Sequence, residues 1–251
     1  MQPLTPDELA RTAHELAFIL LERLPEKAFR RTQLVLALLP TKQSPPGVTT
    51  ATTKTVSDSG AREIAEGLSL LEARGYLVQW PPRDDRFNTE GHADTFQLTR
   101  LGLQAKAQGH NVKRWDSARQ RLGVDLHAGL AGKLDLMVRV GAFEQAALIA
   151  LRAVEERVRS ACGDPRDPKG RRLTGVALMR KAFGVGGPLA DVDADPGEVV
   201  GTMELFTGAF GAVRNVVAHT ETEWTDSVEA AEYVLLADLL MRILDRAEAQ
   251  M

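Results

Sequence analysis

The chain has 251 residues, 44% of them apolar but only 5% aromatic, and a formal net charge of −3. An apolar fraction built on Leu, Ala and Val favours helices over a sandwich or barrel, and the charge gives no overall basic field for nucleic acid. Cys162 is the single cysteine, which excludes an intrachain disulfide and a cysteine-based zinc site.

Taken in chain order, Thr5-Pro6-Asp7-Glu8 opens a first helix with a capping box and proline at its first position. That helix is expected to continue through Leu9, Ala13, Leu16, Ile19, Leu20 and Leu24. A second short helix is expected over about 26–39, stopping before Pro40. Residues 41–58, rich in Thr, Ser, Lys and Pro, read as a long loop that supports no core of its own. Ile64, Leu68, Leu70 and Leu71 give the apolar face of a helix over 60–74, with Gly75 as its stop. Tyr76-Leu77-Val78-Gln79-Trp80 reads as a strand, and Trp80 as a core or wing-base residue. A polar tip follows over 81–94, then a returning strand at Thr95-Phe96-Gln97-Leu98-Thr99. A further helix starts at Leu101 and ends near Gly109.

Helix, strand, polar tip, strand, helix is the order of a winged helix. The stretches SLLEARGYLVQW and TFQLTRLG resemble the wing region of MarR-like winged-helix domains, over roughly residues 15–107. The resemblance implies contact through helix 60–74 and the wing. Arg62, Arg74, Arg83, Arg86 and Lys54 are the candidate phosphate-binding residues. Asp58, Glu63, Glu66, Asp84 and Asp85 lie among them and oppose that role, so a protein partner stands beside DNA or RNA.

From Asp125 the pattern is nearly all helical. Gly141-Ala142-Phe143-Glu144 ends one helix and begins another, which runs to about Ala161. A Gly/Pro/Asp-rich connection, a short helix over about 173–183, a loop from Gly184 to Pro196 and a helix over about 197–215 follow. Asp226 caps a last helix, with Glu229 three residues on. The expected organisation is a domain over 1–110, a connecting segment over 111–124 and a helical domain over 125–251. The fold class is mainly α, with one small β wing.

The candidate chemistry lies in Arg214-Asn215-Val216-Val217-Ala218-His219. Arginine offers a forked, permanent charge that matches a phosphate, and histidine exchanges a proton near neutral pH. RNA carries its own nucleophile, the 2′-OH. A histidine base and an arginine on the phosphate therefore suffice for metal-free cleavage to a 2′,3′-cyclic phosphate and a 5′-OH. No metal and no cofactor is expected, since the five histidines are scattered. Residues five apart on an unbroken helix stand about 140° apart around its axis. Either the helix ends between Arg214 and His219, or two subunits meet and each contributes its own pair. A bent helix end at a dimer seam combines both, with Gly208 and Gly211 admitting a second helix.

The stretches GAFEQAALIALRAVEERVR (141–159), ALMRKAFG (177–184), LFTGAFGAVRNVVAH (205–219) and EAAEYVLLADLLMRILDRAE (229–248) resemble the uncharacterised Ymh family, a relative of the HEPN helical domains. The resemblance covers about residues 124–248 and is most specific at Gly211, Arg214, Asn215, Ala218 and His219. Many relatives have proline where this chain has Val216. The resemblance implies a HEPN-type, metal-independent RNase working as a homodimer in prokaryotic defence or stress response. It gives Arg214 a role on the phosphate and His219 a role in proton transfer, with Asn215 beside them. The competing readings are structural. Arg214 would pair with Glu155 or Glu156, His219 would end a helix, and Asn215 would act as a cap. Glu144 would be an ordinary first-turn carboxylate rather than a group that orients His219 or Arg214, and the Glu155-Glu156 pair would belong to a solvated face. The rival function is a non-enzymatic DNA-binding regulator or a dimeric scaffold. No apolar run approaches the length of a membrane span, so a soluble cytoplasmic protein without membrane contact is expected.

Overall fold

The computed structural model describes residues 2–40, 58–79, 94–219 and 226–250, with the backbone alone at 58 and 213–219. The chain is mainly helical with one small three-stranded sheet. It divides into two compact units, Met1–Lys113 and Arg114–Met251. The expectations for Lys54, Trp80, Arg83 and Arg86 lie outside the described residues, as does the loop expected at 41–58 except for Asp58, which is helical.

In the first unit, α1 covers Pro6–Leu9 and α2 covers Ala13–Arg23. Thr5 and Glu8 form the expected capping box, but the helix does not continue to Leu24. Thr12 accepts a hydrogen bond from the Glu15 N–H and caps a separate helix, so the chain turns between the two. The next segment is not one helix either. Phe29–Arg30 forms β1, and α3 follows over Arg31–Leu38. Two residues carry no periodicity, so this strand is legible only through its partner. The sheet is completed by β2 (Leu77–Gln79) and β3 (Thr95–Leu98), in the order β1–β3–β2, all antiparallel. Phe29 lies opposite Phe96, and Leu77 opposite Leu98.

Between β1 and β2 runs α4 (Asp58–Ala73), whose Ile64, Leu68 and Leu71 are buried together with Leu16, Ala17, Leu20 and Leu21 of α2. Gly67 permits this approach, since a Cβ there would stand 2.7 Å from Leu20 Cδ1. Thr99 caps α5 (Arg100–Ala107) by accepting from the Gly102 N–H. A single 3-10 turn at Gly109–Asn111 leads into α6 (Val112–Arg121), within which the boundary between the two units falls.

The second unit is built around α8 (Phe143–Ala161), which packs on α7 (Ala128–Val140), α9 (Gly175–Phe183) and α11 (Ser227–Glu248). Phe143, Ala146, Ala147, Ala150, Val154 and Val158 recur at helical spacing and are buried. They meet a similar stripe on α11 of Ala230, Val234, Ala237, Met241 and Leu244. The many alanines bring the two axes close. Gly141 ends α7 in the left-handed region at φ 74°, and Asp226 caps α11. The long α10 covers Pro196–His219 and lies against α9, where Phe183 stacks on Phe206 at 4.0 Å between ring centroids.

The course of α10 corrects the expected bend. The helix does not stop near 215 or between 214 and 219 but runs through to His219. Two β-branched residues cost a helix only a few tenths of a kcal/mol each, too little to break one of 24 residues.

Candidate functional site

Arg214, Asn215 and His219 occupy the last two turns of α10. Their side chains lie outside the described residues, but the neighbourhood of the helix end is defined. A Cβ at Gly211 would stand 3.7 Å from Val176 Cγ2, in the first turn of α9. At the other end of α9, Phe183 meets Phe206 of α10, and a Cβ on Gly184 would come within 3.7 Å of Met203. The two helices are therefore antiparallel. The C-terminal end of α10, with position 214 one turn beyond Gly211, lies at the N-terminal end of α9.

That end of α9 grows directly out of a hairpin over 164–172. Arg166 and Arg172 form its antiparallel bridge, and the Leu173 N–H donates to the Pro165 carbonyl at 2.9 Å. The turn is Asp167-Pro168-Lys169-Gly170, with proline and glycine at the positions a type I turn prefers. Asp167 Oδ1 accepts from the N–H groups of Lys169 at 2.8 Å and Arg171 at 2.9 Å. Oδ2 accepts from Arg171 Nε at 2.8 Å. The Arg171 backbone N–H, then its guanidinium, hold the Asp167 carboxyl below its usual range, so it stays ionised. Asp164, at φ 57°, lies between the two bridge arginines, 3.1 Å from Arg166 Nη2 through Oδ2 and 3.1 Å from Arg172 Nε through Oδ1. A Gly/Pro/Asp-rich connection is expected here, and the structure makes it a hairpin. The signal for the hairpin was present in the D-P-K-G turn between paired basic residues.

Whether Arg214 pairs with Glu155 or Glu156 lies outside the described residues. Glu155 pairs with Arg159, and Glu156 accepts from Arg152 Nε at 3.1 Å, each one turn away on α8. Glu155 is half-buried rather than part of a solvated surface, because Arg159 folds over it. Glu144 stands half-buried in the first turn of α8, where a carboxylate suits the helix dipole. Gly208 and Gly211 do not share one environment. Gly211 is covered by α9, whereas Gly208 faces open space among the described residues.

A second histidine has the look of an acid–base dyad and is not one. His127 Nε2 lies 2.9 Å from Asp245 Oδ2, and Asp245 Oδ1 accepts from Arg157 Nη2 at 2.7 Å. His127 Nδ1, however, accepts from the Gly129 N–H at 3.0 Å and caps α7. Both ring nitrogens are occupied, so no lone pair is left for a substrate proton. The Cys162 thiol is pushed up by burial, which suppresses the thiolate. One cleft of the second unit, about 170 Å³, is lined by Phe183, Leu189, Val199, Ile243 and Arg246. It lies toward the N-terminal end of α10, at least 12 residues from position 214 and thus about 18 Å along the helix.

In the first unit, Arg62 is exposed on α4, and Glu66, Ser69 and Glu72 are exposed on the same helix. Arg31 Nη2 donates to the Ala65 carbonyl at 2.9 Å and to Ser69 Oγ at 3.1 Å, tying α3 to α4. Arg74 lies over the Phe18 ring with its guanidinium 2.8 Å from His14 Nδ1, so it is engaged within the unit. The structure thus brings no group of described arginines together on α4.

Residues 125–244 match the model of a family described as Hypoth_Ymh, protein of unknown function. The second unit is similar to that family along almost its whole length. No curated protein and no solved structure matches the chain. No helix among the described residues is long and apolar enough to cross a membrane.

Proposed function

We propose that the second unit is a HEPN-like helical domain acting as a metal-independent endoribonuclease in prokaryotic defence or stress response. The observation that carries this reading is the position of the Arg214–His219 stretch. It ends α10 at the same end of the helix pair as a hairpin bearing Arg166, Lys169, Arg171 and Arg172. Arg214 holds the phosphate, with Asn215 beside it, and His219 takes the 2′-OH proton. Because α10 is continuous, positions 214 and 219 diverge by about 140° around the axis. One strand then needs the arginine of one copy and the histidine of another. The reading therefore includes a homodimer in which each copy contributes part of the site.

The first unit serves as a winged-helix-like recognition module. The sheet order β1–β3–β2 supports this, with α4 preceding β2. The exposed face of α4 has one arginine, Arg62, among Glu66 and Glu72, which favours a protein partner over DNA for that helix. Lys54, Arg83 and Arg86 would supply phosphate contacts if the wing grips nucleic acid.

Incubating the purified protein with RNA in EDTA is the direct test. Wild-type protein should yield products ending in 2′,3′-cyclic phosphate. Arg214→Ala/His219→Ala should reduce cleavage by about 100-fold or more while leaving the fold intact. If wild-type protein leaves RNA whole and the double variant only lowers the melting temperature, the pair is structural and the dimeric scaffold replaces the nuclease.

A further inference from the structure

Residues 163–181 hold six basic side chains and two acidic ones, in a chain whose net charge is −3. Four of the six fall within 166–172, and Arg166, Arg171 and Arg172 all have more than half of their side-chain surface exposed. Lys169 is exposed at the tip and has no ion-pair partner among the described residues. The surface is built rather than accidental, because the hairpin holds two like charges directly across an isolated bridge. Such a pair opposes strand pairing. A single carboxylate, Asp164, is shared between them, and Asp164 adopts the left-handed backbone that non-glycine residues seldom use. Arg166 Nη1 also donates to the Gly170 carbonyl at 2.9 Å and helps to close the turn, whereas the Arg172 side chain pairs with Asp164 rather than with the turn and Lys169 stands exposed at its tip. The result is two guanidiniums converging on one carboxylate, each with more than half of its side-chain surface exposed, and a net positive charge.

We propose that the 164–172 hairpin binds the phosphate backbone of single-stranded RNA and leads the strand to the end of α10. The choice of RNA as the polyanion rests on the nuclease reading above; the phosphate-binding surface rests on the hairpin itself. Guanidinium forks match phosphate oxygens in pairs, and backbone contacts need no base recognition. From Arg172 the chain reaches Val176 in four residues, and Val176 Cγ2 would stand 3.7 Å from a Cβ built on Gly211 of α10. An anionic membrane is the weaker fit, since the hairpin exposes no aromatic or long aliphatic side chain for the interface to take up.

The test reads binding apart from cleavage, using a 2′-O-methyl oligonucleotide that lacks the attacking hydroxyl. Fluorescence anisotropy against salt should show Arg166→Gln/Arg172→Gln weakening binding roughly ten-fold, and flattening the log–log salt slope by about 1.4 for two lost phosphate contacts. Lys169→Gln, which disturbs no described ion pair, should flatten it by about 0.7. Unchanged affinity and slope in both variants would overturn the proposal, as would wild-type binding to phosphatidylserine vesicles with none to the oligonucleotide. Hairpin-dependent binding without cleavage of natural RNA leaves the surface standing and removes the nuclease. Cleavage of natural RNA by wild-type protein, with binding insensitive to the hairpin, does the reverse.

Discussion

At the scale of single residues, charged side chains in the second unit act as clasps between helices. Asp245 on α11 accepts from Arg157 on α8 and meets His127 at the start of α7, so three helices converge on one carboxylate. The Arg157 guanidinium, and then the His127 contact, outweigh burial and hold the Asp245 carboxyl below its usual range. A lowered folded-state pKa stabilises the protein above the unfolded value, and that stabilisation is lost as pH falls through the folded value. Urea midpoints should therefore hold between pH 5 and 7 and fall below about pH 4. Asp245→Asn should start lower at pH 7 and decline less steeply in acid. Parallel wild-type and variant curves would show that the clasp contributes nothing. Pairs within one helix follow from i,i+4 spacing along the chain, as with Arg139–Asp135 on α7, Arg152–Glu156 and Arg159–Glu155 on α8 and Arg242–Asp238 on α11. His127 and Asp245 are 118 residues apart, and no local pattern links them.

At the scale of elements, the pair α9–α10 positions the candidate site, and its main fastening is the Phe183–Phe206 stack with Leu178, Met179 and Ala182 buried beside it. Phe206→Ala should cost about 3–5 kcal/mol and should also weaken oligonucleotide binding, because the end of α10 loses its register against α9. Chemical denaturation measures the first effect. A loss under 1 kcal/mol would mean that other contacts hold α10. Most elements here were legible, since caps and glycine stops are written into neighbouring residues. Thr5-Glu8, Asp226 and Gly141 each mark a helix end through bonds spanning two to five positions. The break between α1 and α2 also had a local signal in Thr12, which competed with an apolar spacing that ran straight through it.

At the scale of the whole molecule, each unit has a core of its own, and the proposed chemistry requires two copies of the second. The outward side of α10 presents exposed Val200 and Leu205, with Gly201 and Gly208 offering open space beside them. Small residues there would let a twin helix approach closely, and a self-complementary contact is the usual form of a homodimer. Light scattering at micromolar concentration should give twice the 27.4 kDa chain mass. Leu205→Glu/Gly208→Glu should return the mass to that of one chain and abolish cleavage while sparing the monomer fold. A monomeric wild type would sink the shared-site scheme.

The helical class, most helix ends, the β2–β3 ribbon and the stretch from Arg214 to His219 are legible in the order of the residues. Those features depend on interactions within a few residues, which composition and spacing record. Packing between distant segments, by contrast, pairs Phe29 with Phe96 across 67 positions. Packing of α9 on α10, with Val176 beside Gly211, likewise sets the basic hairpin at the same end of the helix pair as the C-terminal end of α10. Contacts of this kind are chosen by how buried surfaces fit once the elements exist, and packing complementarity leaves no periodic trace in the chain.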